Sequence, residues 1–435
     1  MPRFLCIHGH FYQPPRENPW TGEVEEEKSA RPYHDWNARI TAECYEPNLG
    51  ARILDSAGHV VERLDNYSRM SFNFGPTLLA WMEKKAPQVY RGILDSDRES
   101  QKKFSGHGSA LAQAYNHVIL PLATRRDKET QVIWGRKDFE HRFGRAPEGM
   151  WLPETAVDLE TLEILAEQGL RFTILAPRQA RRVRKFEEEI WREVGVSGIE
   201  TLRPYRVFLH SGKMLDLFFY DGLVSQAVAF ERLLSDGTIF LNRLAGRFSG
   251  NSTRAELVHI ATDGETYGHH HKFGEMALAY VLNHAEERGL TLSNYGEYLE
   301  KFPPTAEVEI VENSSWSCAH GVARWKSDCG CNVGGVPEWN QAWRAPLREA
   351  LEELRDGWAV FFEQAGADYF DDPWAARNDF IALILDPSPE QREVFLSHHR
   401  RRELSPEAQN RALLLLDLQH QSQLMFTSCG WFFDE

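Results

Sequence analysis

The sequence predicts an α/β fold built on a closed or nearly closed barrel and followed by a helical bundle. Three observations predict it. Short apolar runs alternate with amphipathic segments over most of the chain, polar residues capable of chemistry fall just after those runs, and near residue 340 helical periodicity takes over. Alternating strands and helices imply a parallel sheet, and this many strands favours closure. In such barrels chemistry gathers at the C-terminal ends of strands.

Taken in order, residues 4–7 form a buried-type strand, followed at once by His8-Gly-His-Phe-Tyr-Gln-Pro-Pro15. Residues 16–36 read as a loop, with Pro19, Gly22, three consecutive glutamates from Glu25 and Pro32. The next strand is 70–74, stopped by Gly75-Pro76, after which Leu78, Leu79, Trp81 and Met82 keep helical spacing. Further strands are expected at 149–152, 172–175, 207–210, 215–220 and 257–261, with amphipathic helices such as 159–168 and 276–288 between them. Beyond the barrel, Trp343, Leu347, Leu351, Leu354, Trp358 and Phe361 mark one helix, and 407–425 a second. The implied domains are a barrel at 1–310, a closing aromatic and cysteine-containing loop at 311–340, and a helical domain at 341–435. The aromatic ending Thr427-Ser-Cys-Gly-Trp-Phe-Phe-Asp-Glu435 suggests a piece cut from a longer polypeptide, since termini are usually polar and frayed.

Composition narrows the function. The 435 residues are 42% hydrophobic and carry a net charge of −15, which argues against a nucleic-acid partner. No signal-peptide pattern opens the chain and no run approaches a membrane span, so a soluble cytoplasmic protein without membrane contact is expected. Six cysteines are too sparse for a disulfide scaffold at this size. Thirteen Trp and 13 Tyr, several beside His, Asp or Glu, suit stacking on pyranose faces, although packing accounts for most such rings.

Two segments carry the chemistry. Gly149-Met-Trp-Leu-Pro-Glu154 and Thr262-Asp263-Gly-Glu-Thr-Tyr-Gly268 each place a carboxylate after an apolar run, next to an aromatic residue and a Gly or Pro. Two carboxylates that meet in space are what glycoside hydrolysis requires. By itself Glu154 could equally be a helix N-terminal residue placed by the macrodipole. Glu265 competes with Asp263, being two residues on and on the same strand face.

These segments, with His8-Gly-His10-Phe-Tyr-Gln13-Pro14, Tyr115-Asn-His117-Val-Ile-Leu-Pro121 and Ser314-Ser-Trp316-Ser, resemble the ordered motifs of glycoside hydrolase family 57 over about residues 3–330. The resemblance implies an incomplete (β/α)7 barrel and a retaining α-glucan enzyme of amylase, 4-α-glucanotransferase or branching type, in a subgroup with a longer C-terminal region. It implies Glu154 as nucleophile and Asp263 as general acid/base, acting on an α-glucan or malto-oligosaccharide without a cofactor. Phe11-Tyr12 interrupt the family's first motif, so either histidine could match it; His10 is preferred.

Other candidates carry competing readings. His8 and His10 share a strand face and could hold sugar hydroxyls or, as a His-x-His pair, a metal of a deacetylase-like hydrolase. Sugar binding is preferred because no third ligand follows. A non-catalytic glucan-binding protein would have lost one of the carboxylates. Of His269-His-His271, at most one faces the site, His269 being nearest Asp263. Asp221 in Tyr220-Asp-Gly222 either binds hydroxyls or makes a turn. Trp151 either stacks on sugar or roofs the core. Gln13, His117, Glu265, Trp316 and His320 complete the expected substrate contacts. Cys318-Ala-His320 and Cys329-Gly-Cys331 offer four zinc-type ligands, but a one-residue spacer is tight for two ligands on one ion. A loop walling the substrate is therefore expected there, with no metal.

Overall fold

The computed structural model describes every residue except 1, 196–197, 333–335, 337 and 435, so part of the 311–340 loop lies outside the described residues. Contacts divide the chain into two interleaved units. The first comprises Met1–Ala112, Pro147–Trp151 and Gly169–Val311; the second comprises Gln113–Ala146, Leu152–Gln168 and Glu312–Glu435.

The first unit is α/β. Its central strand Arg3–Phe11 pairs in parallel with Glu256–Asp263 along one edge. Along the other edge it meets Thr291–Leu292 near its start and Ser71–Phe74 near its end. A six-stranded mixed sheet runs in the order Phe172–Leu175, Met214–Phe219, Tyr205–Phe208, Ala306–Ile310, Ala180–Lys185, Arg192–Glu193. Among the described residues neither sheet closes on itself. Leu5, Ile7, Leu257, Val258 and Ile260 are buried, as expected for parallel strands covered on both faces.

Two of these strands escape the apolar-run criterion. Ala180-Arg-Arg-Val-Arg-Lys185 pairs antiparallel with Ala306-Glu-Val-Glu-Ile310, and the partners are held by charge. Arg182 donates through Nε and Nη2 to the two Glu309 carboxylate oxygens at 2.7 Å, and Arg184 pairs with Glu307. Cross-strand pairs of opposite charge stabilise a ladder that hydropathy does not signal.

The second unit is predominantly helical. Helices Arg125–Phe143, Arg344–Gly366, Pro389–His399 and Pro406–Leu424 surround a core that includes Tyr115, Trp134, Phe362, Phe395 and Leu416, and Leu159–Glu167 packs against the first of them. The long helices expected near 343–361 and 407–425 are present at Arg344–Gly366 and Pro406–Leu424. Between them lie Pro373–Asp379, Ile381–Leu385 and Pro389–His399, which are too short for a periodic apolar pattern to accumulate. The core also holds a charge: Asp127 Oδ1 accepts from Arg377 Nη1 at 2.8 Å and from Gln423 Nε2 at 2.9 Å. Among the described residues no helix is long and apolar enough to cross a membrane.

Candidate active site

Glu154 sits at a corner that residues with side chains rarely adopt. After the short strand Met150–Trp151, a single turn Pro153–Thr155 places Glu154 at φ 56 and Thr155 at φ 50. Each left-handed residue with a side chain costs about 1–2 kcal/mol, so the surroundings must fix this turn. Thr155 N–H donates to Leu152 O at 2.8 Å, Ala156 N–H to Pro153 O at 2.9 Å, and Trp316 N–H to Glu154 O at 3.0 Å. The carboxylate is held as firmly. Oε2 accepts from the Trp316 indole Nε1 at 2.8 Å and from the Ser317 hydroxyl at 2.6 Å. Burial raises the Glu154 pKa above the ordinary carboxylate value, and the two donors and the Arg324 charge pull it only part of the way back.

Asp263 ends the strand Glu256–Asp263 and is exposed there. Parallel register sets it opposite His10, and His10 opposite Asn73. Three polar residues thus form a row across three strands. Gly264 is required next: a Cβ at that position would meet the Phe11 ring at 2.2 Å.

Asn73 is the hub of the neighbouring cage. Its Oδ1 lies 3.1 Å from His8 Nε2, and its Nδ2 lies 2.9 Å from His10 Nδ1. Assigned from this network, His8 donates through Nε2–H, while His10 accepts at Nδ1 and carries its proton on Nε2. Burial drives both imidazoles down to about 3, so both are neutral. Ser71 Oγ lies 3.0 Å from the other His8 nitrogen, so both His8 nitrogens are engaged inside the cage.

Residues 7–311 match the family model described as "Glycosyl hydrolase family 57". The chain belongs to that family. Residues 339–435 match a second model, "Domain of unknown function (DUF3536)". Among characterised relatives, an alpha-amylase of Pyrococcus abyssi is 21% identical over 335 residues, covering 73% of this chain and 43% of its own. A 4-alpha-glucanotransferase of Thermococcus litoralis is 23% identical over 271 residues, covering 59% of this chain and 37% of its own. The chain thus spans less than half the length of these relatives. Among solved structures, an exo-type maltose-forming amylase from Pyrococcus sp. ST04 superposes at a TM-score of 0.72 with 18% identity, over 100% of this chain and 76% of that one. A family 57 branching enzyme from Pyrococcus horikoshii gives 0.57 and 19%, over 98% and 87%. At these identities the structural likeness speaks for the fold.

The other residues singled out in this family 57 chain divide sharply. Trp316 and, beside it, Ser317 contact Glu154; Ser317 belongs to the Ser-Trp motif but only its partner was anticipated. Trp151 is fully buried, with its faces on His8 (centroids 4.7 Å apart) and His10 (5.2 Å), so it roofs the cage and offers no sugar platform. His117 is buried, its Nδ1 2.5 Å from Ser428 Oγ, and it tethers the C-terminal segment. Asp221 caps the helix Gly222–Phe230 through Val224 N–H and pairs with Arg247 at 2.5 Å, which engages both carboxylate oxygens. Glu265 is buried, accepting from the Tyr45 hydroxyl at 2.5 Å and Tyr12 N–H at 3.0 Å, and burial lifts its pKa to about 7. Gln13 lies beside it, pulling that pKa down slightly, and spans to Arg16. His269 pairs with Glu43 at 2.5 Å and lines a cavity of about 640 Å³ with Tyr33, Arg39 and Lys272.

His320 departs furthest from its expected place. Its Nδ1 lies 3.4 Å from Cys331 Sγ, within a cluster of Cys318, Cys329 and Cys331. The one-residue spacer does not keep Cys329 and Cys331 apart, because Gly330 at φ 74 folds the chain back between them. Asn73 and Ser317 are contributors that no substrate-contact assignment covers, whereas Arg324 lies in the loop expected to wall the substrate. The first two both had a sequence signal, Asn73 as the polar residue of the strand Ser71–Phe74 and Ser317 as the last residue of the Ser-Trp motif.

Proposed function

We propose that this chain carries the catalytic unit of a retaining α-glucan-active hydrolase or transglycosylase, of amylase, 4-α-glucanotransferase or branching type. Glu154 is the nucleophile and Asp263 the general acid/base. The observation that carries this reading is the strained, doubly clamped Glu154, since backbone strain held in place by surrounding contacts clusters at functional sites. In the first step Glu154 attacks the anomeric carbon while Asp263 protonates the departing glycosidic oxygen as that bond breaks. In the second, Asp263 takes a proton from water or a sugar hydroxyl, whose oxygen displaces Glu154. The neutral His10 donates a hydrogen bond to the sugar without adding a positive charge. The strands and helices of 1–310 are proposed to form the family's incomplete (β/α)7 barrel, with 311–340 as the closing loop and 341–435 as the helical C-terminal domain.

The test uses maltoheptaose and amylose, with products separated by chromatography. Shorter sugars alone mean hydrolysis; longer or branched ones mean transfer. Azide then assigns the roles. A Glu154→Ala enzyme should form a β-glycosyl azide, because azide replaces the nucleophile on its own face. An Asp263→Ala enzyme should form the α-azide, because azide attacks the glycosyl-enzyme. The opposite pattern would exchange the two roles, and an inert wild type would remove the substrate class.

A further inference from the structure

Cys318, His320, Cys329 and Cys331 bring one ligand atom each into a set whose members all lie within 4.8 Å of one another. Cys318 Sγ is 3.9 Å from both Cys329 Sγ and Cys331 Sγ, and Cys331 Sγ is 3.4 Å from His320 Nδ1. Those separations do not suit disulfides, whose sulfurs sit about 2.05 Å apart. They do suit a shared ion: tetrahedral coordination with Zn–S near 2.3 Å puts neighbouring sulfurs about 3.8 Å apart, and sulfur and imidazole nitrogen slightly closer. All six cysteines of the chain are free thiols.

The surroundings carry the matching charge. Three thiolates and a neutral imidazole around a divalent ion leave one net negative charge. Arg344, fully buried, donates through Nη2 to Phe432 O and Phe433 O at 2.9 Å and has Asp434 at 3.9 Å; it also interacts electrostatically with Cys329, and its Nε and Nη1 have no hydrogen-bond partner. A desolvated guanidinium with open donors is costly, and a negatively charged metal–thiolate group adds to the compensation that Asp434 supplies. Arg324 and Gln341 both donate to Cys331 O, at 3.1 and 2.7 Å, and so hold the second half of the ligand loop. The first half lies at the buried Cys318, inside a core of Val322, Trp325, Phe426 and Trp431.

We propose that these four residues form a structural zinc site. Four protein ligands leave no open position, so the ion does not act on substrate. Its effect is positional: Cys318 follows directly on Trp316 and Ser317, the two donors to Glu154, so the ion ties the clamp segment to the loop at 329–331. The soft, thiolate-rich set selects zinc over magnesium or calcium. The site stands independently of the catalytic assignment.

Elemental analysis of the purified chain, after exposure to stoichiometric zinc and gel filtration, should give one zinc per chain. Cobalt substitution should give an intense thiolate-to-metal charge-transfer band and tetrahedral d–d bands. Cys318, Cys329 and Cys331 should resist alkylation until a chelator is added, while Cys6, Cys44 and Cys429 show no such dependence. Because a cysteine variant could unfold, His320→Ala provides the second arm: its ring is exposed, so the fold should persist by circular dichroism. Zinc affinity in that variant should fall at least about tenfold. The proposal is overturned if the zinc-exposed chain retains no metal, if alkylation of the three thiols ignores zinc and chelator, or if His320→Ala binds zinc as wild type does.

Discussion

Glu154 and Glu265 are both carboxyl groups whose pKa burial has raised, and both are held by two donors, yet their settings differ in kind. Glu265 is nearly inaccessible and sits on ordinary backbone; Tyr45 and Tyr12 enclose it. Glu154 is only half-buried, occupies a left-handed corner, and feels the Arg324 cation. A raised pKa therefore does not distinguish the two. Access and backbone strain do, and in the proposed mechanism Glu154 reacts while Glu265 serves as an internal strut.

The largest effect should separate these two residues outright. Glu154→Gln is expected to lower kcat by about 10⁴-fold or more, while Glu265→Gln stays within about tenfold of wild type. Equal losses in steady-state assays would erase the distinction. Asp263→Asn should lose about 10²–10⁴-fold, the usual range for a general acid/base; a smaller loss would reopen the assignment of the acid.

Stability gives a gentler probe. The folded pKa of Glu265, about 7, exceeds its ordinary value, so the folded state binds the proton more tightly than the unfolded state does. Its contribution is fully present below the unfolded pKa and is lost as pH rises through about 7, by about 3 kcal/mol at most. Denaturant titrations across that window should show the decline, and Glu265→Gln should flatten it. The smallest effect concerns the clamp. Removing the Ser317 hydroxyl strips a donor from ionised Glu154, so its pKa must rise further. The acid limb of the kcat/KM profile should move to higher pH in Ser317→Ala. An unmoved limb would mean that Glu154 does not govern it.

The regular elements were legible wherever apolar runs were long enough to set a period. The strands at 172–175 and 215–220 and the helix at 159–168 were found within a residue or two of Phe172–Leu175, Met214–Phe219 and Leu159–Glu167. The strand Ala180–Lys185 was invisible because three arginines hide it, and only their pairing with Glu307 and Glu309 across the ladder explains it. At the site, the motifs located Glu154 and Trp316 but not how side chains turn. The sequence leaves Trp151 open between sugar and core because one residue of strand decides whether a ring faces solvent or the histidines. The clustering of the cysteines was hard to read from spacing because spacing rules assume ordinary backbone, and Gly330 does not supply it.

The corner at Glu154 and Thr155 has an evolutionary consequence. Glycine or asparagine would rest there more comfortably than glutamate, so random substitution at 154 drifts toward sequences that fold at least as well and have lost the carboxylate. The sequence in hand sits on the uphill side of that drift. A lineage released from selection for this site would be expected to shed residue 154 early, while the surrounding scaffold, including the cage of His8 and His10, lingers as a fossil of the lost activity.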